Sequence, residues 1–401
     1  MSQQVKLNRE QIKVLLEKYG SPLYIYDETI LRERCREMLQ LSTYQHFRPN
    51  YSAKANTNVE LLKIIKSEGL SVDAMSPGEI LLEEAAGFQP EEILFISNNV
   101  DDKEMQFAIE KKIAISVDSL SQLETFGKLY PGGKVAVRLN PGVGAGHNEK
   151  VITGGKSKFG IELKEIDHIK LIAKKYQLTI VGLNQHIGSL FLEGDIYLEA
   201  CSILLKVAKE FTGLEFIDLG GGFGVPYQEE ERLDLVSLSS RLDEMIKEFT
   251  TAYQNKEVEI KIEPGRYIVA ECAILAGTVN SIKVNYGEKY IGTDIGFNVL
   301  MRPVLYDSYH KIIVYNDSAE SEMVTVVGNI CESGDILAKD RVLSCMEIGD
   351  LIALETVGAY GYSMCSNYNS RLRPAEVLIM CNGEDRLIRR RDTFEDLLGQ
   401  L

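Results

Sequence analysis

The sequence predicts an α/β fold in two parts: a (β/α)8 barrel over residues 28–270, and a mainly-β domain made of 1–27 together with 271–401. Three observations carry this prediction. From residue 47, short apolar runs rich in β-branched residues alternate regularly with helix-compatible segments, eight times in roughly 230 residues. After about residue 270 the texture changes to strands and turns with little helix between them. At 401 residues the chain also exceeds what one hydrophobic core usually organises.

The elements follow in order. Asn8 can cap a first helix, with Gln11 at the capping-box position, Leu7 able to staple onto Ile12, and Gly20 as the stop. Pro22 to Asp27 is β-rich and can pair into the later β domain; a charged helix spans 29–41. The barrel strands are expected at 48–53, 70–74, 93–97, 114–118, 135–140, 180–185, 216–219 and 259–263, with helices such as 59–68, 78–86 and 103–111 between them. Such runs suit strands buried on both faces. A doubly wound open sheet competes, but the count of eight favours the barrel. Residues 141–158, glycine-rich with three lysines, read as a mobile loop over the barrel mouth. In the last third, strands are expected at 279–284, 289–292, 324–327, 351–354 and 376–380, with a hairpin turn at Asn382-Gly383 and a short helix near 393–398.

Composition narrows the function. A net charge of −15 argues against nucleic acid, and Arg389-Arg390-Arg391 is an isolated basic run. Seven scattered cysteines without a CxxC pair suit reduced thiols in the cytoplasm better than disulfides or a metal site. The polar opening and the absence of an apolar run near 18 residues argue against a signal peptide or a membrane span.

The unusual residues fall at the C-terminal ends of the strands, where barrels place their sites. The first strand ends at Lys54, set among small residues in Tyr51-Ser52-Ala53-Lys54-Ala55-Asn56, and the second at Asp73. The fifth ends at Arg138 and Asn140, the sixth in His186-Ile187-Gly188-Ser189, the seventh in Gly220-Gly221-Gly222 and the eighth in Glu263-Pro264-Gly265-Arg266. A strand-end lysine flanked by alanines points to a Schiff base with pyridoxal phosphate. Three consecutive glycines either form a tight turn or bring backbone N–H groups to an anion; Ser189 and Arg266 beside them favour a phosphate cradle. Glu263 is either ion-paired or holds a pyridine nitrogen protonated. His186 either stacks on the cofactor ring or is a hydrogen-bonded core residue. Asp73 either orients Lys54 or caps the next helix. In the β region, Cys331-Glu332-Ser333-Gly334-Asp335 places a thiol in a loop as a possible proton donor. Arg302 and Tyr306 form either a surface ion pair with a packing aromatic, or a carboxylate-binding fork with a hydroxyl.

Over nearly the whole chain these motifs resemble the fold-type III pyridoxal-phosphate decarboxylases, the diaminopimelate decarboxylases most closely. The lysine segment, His-Ile-Gly-Ser, the triple glycine and Glu-Pro-Gly-Arg are shared with ornithine and arginine decarboxylases. Arg302-Pro303 with Tyr306, Cys331 to Asp335, and the run Gly358 to Arg371 are more specific. The resemblance implies an alanine-racemase-like barrel, a C-terminal β-barrel-like domain, and a homodimer with active sites at the subunit interface. It implies Lys54 as the Schiff-base lysine, Glu263 as the pyridine partner and His186 as the stacking residue. Asp73, Ser189, Gly220, Gly221, Gly222, Gly265, Arg266 and Tyr360 complete the implied cofactor site. Arg266, Arg302, Tyr306, Glu332 and Tyr360 would contact substrate, and Cys331 of the partner subunit would donate a proton. Asn184 stands where many relatives have His, and Pro77 where they often have Gly. The expected reaction is decarboxylation of meso-2,6-diaminopimelate to L-lysine, the last step of lysine synthesis: Arg302 and Glu332 match a distal carboxylate and ammonium, and an arginine there would repel substrates lacking that carboxylate. The alternatives are a decarboxylase for another carboxylated amine, of the carboxynorspermidine type, or for a basic amino acid, and a non-catalytic regulatory relative.

Overall fold

The structure, a computed structural model, describes residues 4–96, 98–146, 148, 150 and 152–399. Ser97, expected to end the third strand, and His147, Glu149 and Val151 of the expected loop lie outside the described residues, as does the Met1-Ser2-Gln3 opening. The chain forms two compact units, one of Arg34–Val225 and Glu231–Ile268, the other of Met1–Glu33, Pro226–Glu230 and Val269–Leu401.

In the first of these units eight parallel strands, Phe47–Ser52, Ser71–Ala74, Ile93–Ile96, Ala114–Val117, Lys134–Asn140, Thr179–Asn184, Phe216–Gly221 and Glu259–Glu263, pair each with the next. The eighth closes on the first, with Ile260 opposite Phe47. This is a closed (β/α)8 barrel, not an open doubly wound sheet. The strand residues are almost wholly buried, as their apolar runs require, with Leu94, Ile96, Ala136, Val181 and Phe216 in one interior cluster. Helix starts obey local chemistry: Asn58, Ser76, Asp101 and Ser119 each accept a backbone N–H in the first turn of the helix they precede. Pro77 sits at the first turn of its helix, where its fixed φ and missing N–H cause no loss.

The other unit is a mainly-β sheet. Its spine is Ala273–Asn285, whose first half pairs with Leu23–Asp27 and Leu351–Glu355 and whose second half pairs with Glu288–Thr293. The early strand lies between the spine and Ala375–Ile379, with Leu23 opposite Ala276 on one side and Ala375 on the other. The first helix, Arg9–Tyr19, carries the Asn8–Gln11 capping box and stops at Gly20. Gly383, at φ 84°, turns Ala375–Ile379 into Asp385–Arg389. Three strands were not expected: Ile312–Tyr315, Ile336–Ser344 and Asp385–Arg389. The last two carry Lys339, Asp340, Arg341, Asp385, Arg386 and Arg389 within their spans, and that polarity hides the β pattern.

Candidate active site

The barrel mouth is assembled from strand ends. Lys54 follows the first strand in a tight turn, Ala53–Ala55, which Tyr51 braces by donating its hydroxyl to Asn56 O at 2.9 Å. Lys54 is partly exposed, and among the described residues its ammonium makes no hydrogen bond or ion pair. Ser52 ties three strands together: its hydroxyl donates to Asp73 Oδ2 at 2.8 Å, and its N–H donates to Pro264 O at 3.3 Å. Asp73 does not cap the next helix; Ser76 does.

Glu263 is buried at the centre. It accepts from Asn184 Nδ2 at 2.9 Å, and His186 Nδ1 lies 3.3 Å from its other oxygen. The same His186 nitrogen is 3.2 Å from Gly221 N, so it either donates to the carboxylate or accepts from the amide. Burial alone would raise Glu263, but the hydrogen bond and charge of His186, with the charges of Lys54 and Arg138, outweigh it and hold the carboxyl below its ordinary range. Burial pulls His186 down, toward neutral imidazole. Asp73 and Asp218 go the other way: burial and then the charge of Glu263 push both well above the carboxylate range. The three buried carboxyls therefore shift in opposite directions, Glu263 downward and Asp73 and Asp218 upward, because burial disfavours every charge and the nearby cations and His186 offset that cost at Glu263.

The phosphate-cradle residues also converge. Arg266, buried, donates to Ser189 Oγ from Nη2 at 3.0 Å and from Nε at 3.3 Å. Gly220 has φ 74°, and a Cβ there would lie 2.1 Å from Gln185 O; one on Gly221 would lie 1.9 Å from Glu263 O. Side chains are excluded there because the seventh strand end presses on its neighbours. Gly265 sits against Ser52 and Ala55, next to the lysine turn. Beside this, Arg138 is buried 3.9 Å from Asp118 and under the Phe159 ring at 4.8 Å. Asn140 tethers the described part of the following loop, accepting from Gly142 N and Gly155 N and donating to Gly155 O and Phe159 O. A cavity of about 850 Å³ lies at the opposite end of the barrel, lined by Lys134, Glu215 and Glu259 near the strand starts. It is remote from the lysine chemistry.

Asp218 escaped the sequence reading because it hides in the apolar run Phe216-Ile217-Asp218-Leu219. The criterion that singled out Glu263, a carboxyl within a buried strand, would have found it. Asn184 was noted only as a departure, and its role on Glu263 emerges with the structure.

The β unit holds the remaining residues. Arg302 and Tyr306 begin and end one short helix, Arg302–Tyr306. Arg302 is 1% exposed, which excludes a surface ion pair. Its Nη2 donates to Ser308 Oγ at 3.1 Å. Cys331 and Glu332 are exposed on a loop built by buried Asp335, which accepts from Phe297 N and Ile330 N. That loop runs beside the short helix, a Cβ on Gly334 lying 4.0 Å from Val304 Cγ1. Cys331 N donates to Asn369 Oδ1 at 2.8 Å, and Cys331 lines a polar cleft of about 710 Å³ with Asn298, Asn329 and Arg371. Tyr360 follows the strand Leu351–Glu355 at φ 57°, a conformation that side chains rarely adopt and that marks a constrained position.

Residues 29–270 match the sequence model for "Pyridoxal-dependent decarboxylase, pyridoxal binding domain". Diaminopimelate decarboxylase of Methanothermobacter thermautotrophicus is 43% identical over 396 residues, covering 96% of this chain and 92% of its own. That of Escherichia coli K12 is 34% identical, covering 98% and 96%. The chain belongs to the diaminopimelate decarboxylase family. The crystal structure of diaminopimelate decarboxylase from Helicobacter pylori complexed with L-lysine matches with a TM-score of 0.89 at 33% identity, over 97% of this chain and 98% of that one. A lysine decarboxylase from Selenomonas ruminantium, 21% identical, shares the fold.

The family's cofactor is pyridoxal phosphate, and the barrel mouth fits it. An unpaired lysine ammonium, an ionised buried carboxylate and an Arg–Ser–Gly cradle are together in one unit. One buried oxygen each of Asp73, Asn184 and Asp218 has no partner among the described residues, as expected where a bound group completes the network.

Proposed function

We propose that this chain decarboxylates meso-2,6-diaminopimelate to L-lysine and CO2, using pyridoxal phosphate, as the last step of lysine synthesis. The observation that carries the reading is one of coverage. The family model spans the barrel, which holds the chemistry, whereas the diaminopimelate decarboxylases match the β unit as well, which holds the residues suited to a distal carboxylate.

Lys54 would hold the cofactor covalently, Arg266, Ser189 and the Gly220–Gly222 turn its phosphate, His186 its ring face, and Glu263 its pyridine nitrogen. Asp73 and Gly265 would line the same site, and Tyr360 would serve the cofactor as the family resemblance implies. When bound, pyridoxal phosphate supplies the electron sink for the pair left behind as CO2 departs. Glu263, whose carboxyl is held below its ordinary range, would keep a proton on the pyridine nitrogen. The upward shifts of Asp73 and Asp218 would limit competing negative charge beside it. At the other end of the substrate, Arg302 would bind the carboxylate that survives in L-lysine, with Tyr306 and Tyr360 adding hydroxyls and Glu332 meeting the ammonium. Arg266 would also reach the substrate. Cys331 of the partner subunit would deliver the proton that replaces CO2 in a homodimer with active sites at the subunit interface. The exposure of Cys331 and Glu332 in the single chain supports this, since such groups need a facing surface to work in a dry site. A cytoplasmic location fits seven free thiols.

The test is direct: purified protein with added cofactor, given meso-diaminopimelate, lysine, ornithine and carboxynorspermidine, with CO2 and product amine measured. Release of CO2 and L-lysine from meso-diaminopimelate alone is expected. Comparable turnover of a substrate without a distal carboxylate would overturn the assignment.

A further inference from the structure

Arg302 is held by more than its hydrogen bond to Ser308: its guanidinium lies over the ring of Tyr227, with Cζ 5.3 Å from the centroid. The Tyr227 ring is in turn met edge-on by His310, with centroids 5.4 Å apart and planes at 86°. His310 is anchored by Nδ1, 2.9 Å from Glu355 O; a carbonyl only accepts, so Nδ1 carries the proton. Tyr227 has its own fixed base, because Glu230 Oε2 accepts from the N–H groups of Tyr227 and Gln228 at 3.1 and 2.7 Å. Below the guanidinium, Ser308 takes Nη2 and returns its own N–H to Arg302 O, across a turn that Asp307 makes at φ 52°. All four side chains, Arg302, Tyr227, Ser308 and His310, are buried.

We infer that Tyr227, backed by His310, is a specificity-determining positioning residue: it orients Arg302 toward the distal carboxylate of the substrate. The inference rests on the reading of Arg302 given under the proposed function. The physical reason is that stacking uses the face of a guanidinium, while its N–H donors radiate in the plane. A guanidinium held against a ring loses rotational freedom, which fixes the direction in which its donors point. A lysine at 302 gains neither property. A wall of aliphatic side chains would bury the same arginine without fixing the plane of its donors.

The test uses the holoenzyme and two probes that differ in the carboxylate. L-Lysine, the product, retains the distal carboxylate, and 1,5-diaminopentane has none. In Tyr227→Leu, KM for meso-diaminopimelate and the inhibition constant of L-lysine are expected to rise together by roughly 10-fold. Inhibition by 1,5-diaminopentane, kcat and the cofactor absorbance band should stay close to wild type. Tyr227→Phe, which keeps the ring, should restore wild-type values. Equal weakening of both probes in Tyr227→Leu, or no change in either, overturns the inference. Arg302→Lys, measured in parallel, separates the two levels: if it leaves the L-lysine constant unchanged, the Arg302 reading itself is wrong. If it weakens L-lysine while Tyr227→Leu does not, only the positioning role falls. Should Tyr227→Leu not fold, His310→Gln carries the same comparison, with weaker L-lysine inhibition expected and unchanged 1,5-diaminopentane inhibition.

Discussion

The barrel mouth and the β unit place their polar residues in opposite ways. At the mouth, Asp73, Asp218, Glu263 and Arg266 are buried on strand ends or immediately after them, and the three carboxyls are shifted by burial and by neighbouring charges. In the β unit, Arg302 is buried and clamped, while Cys331 and Glu332 stand exposed on a loop. Under the proposed function, the contrast would separate two tasks. Electronic control needs groups fixed in a dry, preorganised interior, where electrostatics act at short range without reorganisation. Choosing and protonating one substrate needs groups that meet it from outside, and a loop carries these without disturbing the barrel.

That contrast can be broken experimentally, starting where the effect is largest. Lys54→Ala should abolish decarboxylation and remove the visible cofactor band, read by absorbance and CO2 release; retained turnover with bound cofactor would end the case for the barrel site. Glu263→Gln keeps the shape and removes the charge, so kcat should fall by about 10²–10³-fold while the band persists. Because its pKa is depressed, Glu263 is charged throughout the range above the ordinary carboxylate value of about 4.3, and its contribution is lost as pH falls below that. The acid limb of the wild-type kcat profile should therefore be absent in the glutamine variant. Cys331→Ala tests the exposed side: a loss of about 10²-fold in kcat, with cofactor binding intact, is expected of a missing proton donor. An unchanged kcat would move the proton to another group.

The smallest effect sharpens the comparison by asking about a buried carboxyl with no assigned task. Glu83, on the helix Pro77–Ala86, is fully buried with both oxygens unpartnered, and burial, followed by the charges of Glu79 and Glu84, pushes it up to about 8. A raised carboxyl favours the folded state most below its unfolded pKa, and that advantage is lost as pH climbs toward 8. Glu83→Gln should therefore be more stable than wild type at pH 8, on the order of a few kcal/mol, with the gain vanishing near pH 4.5. Denaturant unfolding at the two pH values measures it, and activity should not change.

Much of the barrel was legible because its strands are buried on both faces and so read as short, unbroken β-branched runs. The eighth strand falls on its expected span, and the strand-end residues follow from it. The β unit was less legible for the converse reason. Ile336–Ser344 and Asp385–Arg389 expose one face or an edge, and their charged residues resemble loop. The candidate site residues stood out wherever a residue was out of place for its element, as with Lys54 and Glu263, which the fold brings to one barrel mouth. They were not legible where function depends on a partner far along the chain. Nothing near Tyr227 or His310 in the sequence announces a shared arginine, and nothing at Asn184 announces Glu263.

The path of the chain has a practical consequence for engineering. Residues Pro226–Glu230 leave the barrel sequence just after the glycine turn, join the β unit for five residues, and return. The backbone therefore passes between units after Glu33, Val225, Glu230 and Ile268. A chimera joined at one point near 269 would set the native Tyr227 segment against a foreign β unit, breaking the Arg302–Tyr227 contact as it stands in this chain. Exchanging the whole β unit calls for three segments moved together: residues 1–33, 226–230 and 269–401.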